Sequence, residues 1–183
     1  MKANMPKVVS SVLIALTPLA ASGDNVVLGR LDRTVRVLDN TGESRGQAQV
    51  AARIAGSFGT LAGTEANALA LVNALHDGHA IRLQQADGTY ALLPARAPMG
   101  WGSVKLALAL VQAQLQPGSA HARVTVEQLI AALNEVVAMR AAGMTWAQVA
   151  DARGAKVDVM VSSLKRTQAT VSALPAAAEI SRP

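Results

Sequence analysis

A core almost without large rings is the tightest constraint in this sequence. Phe58, Tyr90, Trp101 and Trp146 are the whole aromatic complement of 183 residues. Yet 51% of the chain is hydrophobic, and Ala, Leu and Val carry that fraction. Small side chains bury little area apiece, so stability must come from close helix packing. Ala and Leu are also the strongest helix formers. The fold expected is mainly α, a small helical bundle. Too few rings exist for an aromatic-lined sugar groove or a base-stacking platform. The length suits one domain with tails. The apolar fraction is too high for a disordered chain. The absence of cysteine excludes disulfides, Cys-ligated zinc, iron–sulfur clusters and thiol catalysis.

The first 23 residues read as an address. Lys2 and Lys7 give a positive start, Val8 to Leu16 is an uncharged apolar run, Pro18 breaks it, and Ala20-Ala21-Ser22 offers small residues to a peptidase. That is the three-part layout of a secretory signal peptide. The competing reading is a buried N-terminal helix of a cytosolic protein. The apolar run falls short of the ~20 residues a membrane span needs, so no stable transmembrane segment is expected after cleavage. Losing Lys2 and Lys7 takes the formal net charge from +5 to +3. Such a small excess does not mark a nucleic-acid binder. The expected location is the periplasm or the outside of the cell, where a cysteine-free chain needs no oxidative step.

Residues 24–62 read as an N-terminal arm and a short helix. Asn25 to Asp39 alternates in polarity through RTVRVLD, which suggests a short strand or an extended arm. Asn40 to Glu43 reads as a turn, Ala48 to Ile54 as a helix, and residues 56–63 as a glycine-punctuated loop. The helical domain proper spans 63–166. Thr64 suits an N-cap for a helix from Glu65 to about His76, with Gly78 as a left-handed C-cap. A β-hairpin near 80–93 turns at Asp87-Gly88. Pro94 and Pro98 bracket a linker. Val104 to Gln116 is apolar nearly all round, which predicts a central helix. Capping boxes at Thr125/Gln128 and Thr145/Gln148 open two more helices. Gly154 ends the second of these, and a last helix runs from Val157 to Lys165. Residues 167–183, with two prolines and many small residues, form an expected mobile tail.

Patterns that carry chemistry are sparse. His76-Asp77-Gly78-His79 holds metal-capable types, but it straddles a helix end and lacks the spacing of a helical zinc motif. His121 lies in a loop with no acidic neighbour. Gly56-Ser57-Phe58-Gly59 and Gly100-Trp101-Gly102-Ser103 both miss the spacing of a serine nucleophile elbow. The glycines from Gly56 to Gly63 lack a P-loop ending. The acids are scattered singly. No catalytic residue, cofactor site or metal site is assigned, and the reading leans away from an enzyme.

Two features invite a binding role. Met99-Gly-Trp101-Gly-Ser-Val104 is echoed by Met144-Thr-Trp146-Ala-Gln-Val149, each at a helix start. Either each Trp packs over its own helix start as a core anchor, or Trp101 and Trp146 flank one binding surface. The second feature is the pair of C-terminal helices. Val149, Ala150 and Gly154, then Val157, Met160 and Leu164, fit a helix-turn-helix like that of sigma-like regulators. Lys156, Ser162, Ser163, Lys165 and Arg166 would then face phosphates. Arg153 and Ala155 stand where that motif has larger apolar residues, and Asp158 would face the acidic groove. A plain helix pair has the same packing. The candidate binding surface is therefore Trp101, Trp146, Lys156, Lys165 and Arg166.

Five segments, TEANALALVNALHDG, an extended pair, PMGWGSVKLALALVQAQL, TVEQLIAALN and MRAAGMTWAQVADARGAKVDVMVSSLKR, carry a resemblance. Together they cover about residues 63–166. The chain resembles a group of small exported proteins of Proteobacteria with a signal peptide. That group has a G-[ST]-E-A-N-A-x-x-L helix, an M-G-[YW]-G-N-V helix start and a closing G-M-G-W-G-x-I-A segment. This sequence departs from it at Ser103, Thr145 and Ala147. The resemblance implies architecture and export and carries no activity. The function expected is a secreted or periplasmic, non-enzymatic protein that binds a protein or envelope partner. The alternative is a DNA-binding helix-turn-helix regulator, the one reading in which nucleic acid is a partner.

Overall fold

The computed structural model describes residues 24–115 and 124–177. The expected signal peptide, the loop holding His121 and the end of the tail lie outside the described residues. Within them the chain forms eight helices and one two-stranded antiparallel hairpin. The mainly helical bundle with an inserted hairpin is therefore the observed architecture.

The first helix, α1 (Asp24–Glu43), replaces the arm or strand expected there and the turn expected at 40–43. Two periodicities overlap in this stretch. Val35 and Val37 alternate like a strand, but Leu31, Thr34, Val35 and Leu38 recur at helical spacing and all are buried. The helix leaves Val37 outside, 41% exposed. It wins because that single stripe packs against four other helices. These are α2 (Gln47–Ala55), α5 (Trp101–Leu115), α7 (Trp146–Ala152) and α8 (Val157–Ser172). α1 is thus the hub of the bundle.

The expected glycine loop contains one short helix, α3 (Gly59–Ala62). α4 (Glu65–Asp77) starts at Thr64, whose hydroxyl accepts the Asn67 amide, and ends at Gly78 with φ +80°. The hairpin pairs β1 (Ile81–Gln84) with β2 (Tyr90–Leu93), Ile81 opposite Leu93 and Gln84 opposite Tyr90. A side chain docks it. Asn67 donates from Nδ2 to the Ala62 and Gln84 carbonyls (2.9 and 2.7 Å) and accepts the Gln84 amide on Oδ1 (3.0 Å). Its amide group thus acts as a strand partner for Gln84, which gives the Asn of the EANA motif a structural purpose. All its polar atoms are satisfied, as burial requires.

α5 is central, as its composition predicts: nine of its fifteen residues are buried. α6 (Val126–Ala141) and α7 open with complete capping boxes at Thr125/Gln128 and Thr145/Gln148. α8 continues two turns past Lys165, with Thr167 and Val171 buried. Beyond it Arg45 pairs with Ala176 in an isolated antiparallel bridge. The segment expected as a tail from 167 is therefore helical through Ser172. Arg153, at the end of α7, donates from one nitrogen to both Gln114 (3.0 Å) and Glu135 (2.6 Å). That explains an arginine where a helix-turn-helix has an apolar residue: it ties α7 to α5 and α6.

Candidate functional site

The echo between the two tryptophan motifs has one cause, and it lies in α1. Asp32 and Asp39 stand seven residues apart, two helical turns, on one face of α1. The Asp39 carboxylate accepts the amides of Gly102 (2.7 Å) and Ser103 (3.3 Å) at the start of α5. The Asp32 carboxylate accepts the Trp146 amide (3.1 Å) at the start of α7. Each helix start has orphan amides and a positive dipole end, and each receives an acid from the same neighbour. Close approach demands the glycines of the first motif. A methyl group on Gly102 would overlap the Val35 carbonyl, and one on Gly100 would overlap the Asp39 carboxylate.

The rings themselves face inward. Trp101 is 1% exposed and Trp146 3%. Trp101 stacks on His76, ring centroids 3.7 Å apart, and donates from Nε1 to Gln47 (2.9 Å). His76 Nδ1 meets the Met99 carbonyl at 2.9 Å, while Nε2 faces Glu43 at 4.0 Å. The guanidinium of Arg140 covers the Trp146 ring at 4.7 Å and also donates to the Met144 carbonyl. Burial lifts the Asp39 carboxyl above its usual range, while the Gly102 and Ser103 amides pull it back; Glu43 adds to the rise and His76 opposes it. These contacts tie α1 to the starts of α5 and α7 and draw in side chains from α2, α4 and α6. Among the described residues no three His, Asp or Glu side chains group as metal ligands.

A different side chain has no such structural explanation. Lys105 sits in the second turn of α5, the one charged residue of that helix, and is 5% exposed. Among the described residues it makes no ion pair and no hydrogen bond. Its ammonium lies 4.4 Å from the Phe58 ring centroid. A cation over an aromatic face recovers only part of the lost hydration. Desolvation, and then the charge of Arg166, push its pKa down to about 8.

Lys105 lines a solvent-open cavity of about 360 Å³ together with Arg53 from α2 and Arg166 from α8, both of them exposed. The rest of the wall is neutral and polar: Ser57, Gln112, Ser163, Thr167 and Thr170. Among the described residues no carboxylate lines it. Three cations and a set of hydroxyls without one acid make a basin suited to an anion. Local periodicity builds it. Gln112 follows Lys105 by two turns, and Ser163, Arg166, Thr167 and Thr170 recur on one face of α8.

Of the five surface residues expected from sequence, Arg166 alone lines the basin. Lys156 and Lys165 are exposed outside it, and the two tryptophans are in the core. Sequence reasoning passed over Lys105, Arg53 and Gln112. The available signal was a lone charge inside a helix apolar on every side. A comparison with protein-family models, curated proteins and solved structures finds nothing that matches this chain.

Proposed function

We propose that the protein is exported by its first 23 residues and acts in the periplasm or outside the cell as a non-enzymatic binding protein for a small anion. In this reading it belongs with the small exported proteins it resembles. The observation that carries the binding role is Lys105: a buried cation with no counter-ion and no acid on its cavity wall among the described residues, beside two arginines. A buried unpaired charge is costly, and a bound anion removes that cost. The anion is a free carboxylate or phosphate, or the same group displayed on an envelope partner. Two measurements test the reading. N-terminal sequencing of protein from each cell fraction is expected to find the chain outside the cytoplasm and shortened near Ser22. An intact N-terminus in the cytoplasm would defeat export. Thermal shift with phosphate and oxalate, against chloride at matched ionic strength, is expected to raise the melting temperature, and Lys105→Met to abolish the rise.

The second reading is a DNA-binding regulator. It is favoured by the α7–turn–α8 geometry, with Gly154 at φ +64° and Lys165 exposed. Against it, Asp158 in the first turn of α8 lies 3.6 Å from Arg30 and puts a carboxylate where bases are read. Lys165→Ala separates the two. Anion binding survives it in the first reading, and salt-dependent DNA binding falls with it in the second.

A further inference from the structure

The basin has a property that simple anion binding does not need. A lysine used only as counter-charge serves best when permanently protonated. Arg53 and Arg166 already supply permanent charge at the same cavity. Lys105 instead lies against Phe58, on a wall that it shares with Arg166 and, among the described residues, with no carboxylate. An apolar contact and a neighbouring cation are the two surroundings that turn a lysine from an ammonium into a nucleophilic amine. The helix interior also fixes the amine at the cavity wall, while the wall's hydroxyls can donate or accept a proton.

Resting on the anion-binding reading, we infer that the basin takes small α-oxo carboxylic acids, and that Lys105 captures them as a reversible imine. The carboxylate lies against the guanidinium groups of Arg53 and Arg166. The Nζ lone pair attacks the adjacent carbonyl carbon, and the carbonyl π electrons move onto its oxygen. That oxygen takes up two protons, one from the nitrogen and one from the medium; the C–O bond then breaks, water leaves, and the nitrogen lone pair closes the C=N bond. The product is a protonated imine, with one water released for each acid captured and no oxidant or reductant consumed. The open cavity of about 360 Å³ has room for an acid of this size. The cation it creates is no harder to bury than the ammonium it replaces, and it now carries its own carboxylate.

The test is reductive trapping of the full chain with pyruvate and cyanoborohydride, read by intact mass and peptide mapping. The expected result is one carboxyethyl group on Lys105, ahead of exposed Lys156 and Lys165. Oxalate is expected to compete. Acetone, which has the carbonyl without the carboxylate, is expected to label about tenfold more slowly. Lys105→Arg keeps a charge and is expected to give no adduct, and Arg166→Ala to slow trapping by about tenfold. Labelling spread evenly over the lysines, or acetone as fast as pyruvate, would overturn the inference. Phosphate binding without any adduct overturns the imine and leaves the anion reading standing. Absence of both overturns the two together. Site mapping and oxalate competition use the wild-type chain, so a variant that fails to fold does not remove the test.

Discussion

Replacing Lys105 with methionine is expected to make the protein more stable at neutral pH. The sign follows from burial without a partner. Lys105 carries a pKa of about 8 in the folded chain, against 10.5 for a free lysine. At ~1.4 kcal/mol per unit, the charged form costs the fold about 3 kcal/mol. Methionine has a similar shape, fills the same apolar space and loses the contact with Phe58, which is worth about 1 kcal/mol. The net expectation is a gain of about 2 kcal/mol at pH 7. The pH dependence has a definite direction. The folded pKa is depressed, so the penalty is fully present below about 8 and fades as pH rises towards 10.5. Across that window the unfolded chain binds more protons, so wild type gains on the variant. Among the described residues no carboxylate lines the cavity, and its other charged groups are the guanidinium groups of Arg53 and Arg166, so no acid on its wall reverses the trend. Urea unfolding of both chains, followed by circular dichroism at several pH values, measures the difference directly. A variant less stable than wild type at pH 7, or a gap that stays constant from pH 8 to 10.5, would refute the reasoning.

Three further outcomes follow from the same geometry. Asn67→Ala strips partners from Gln84 and from the Ala62 carbonyl, and is expected to cost about 2–3 kcal/mol in chemical unfolding, with faster amide exchange in β1 and β2. Asp39→Ala removes the cap from α5 and is expected to cost about 1–2 kcal/mol, whereas Asp39→Asn keeps an acceptor and most of the stability. Because burial raises the Asp39 pKa, wild type loses ground to Asp39→Asn as pH climbs from 3.8 through the raised value, which unfolding curves for the pair will show. Trp101 and Trp146 are both buried, so acrylamide is expected to quench their emission far less than that of free tryptophan.

Local chemistry made much of the bundle legible in the sequence. Thr64, the Thr125/Gln128 and Thr145/Gln148 boxes and Gly78 each act within a few residues of themselves, so their spacing is enough to read them. α1 was harder. Val35 and Val37 imitate a strand, and the helical stripe that competes with them includes a threonine. The Trp echo was visible, but its cause was not: Asp39 and Asp32 lie 63 and 114 residues from the amides they hold. The basin was hidden for the same reason. Arg53, Lys105 and Arg166 come from three helices, and no short window contains two of them. Only the lone charge in α5 was a local sign of it.

The central claim is that Lys105 is a buried cation kept for an anion. The most direct test follows the Lys105 Nζ resonance by NMR across pH, with and without saturating inorganic phosphate. The account predicts a midpoint of about 8 in the free protein and a clear rise when phosphate binds. A free midpoint at the ordinary lysine value of 10.5, or one that phosphate leaves unmoved, would contradict it.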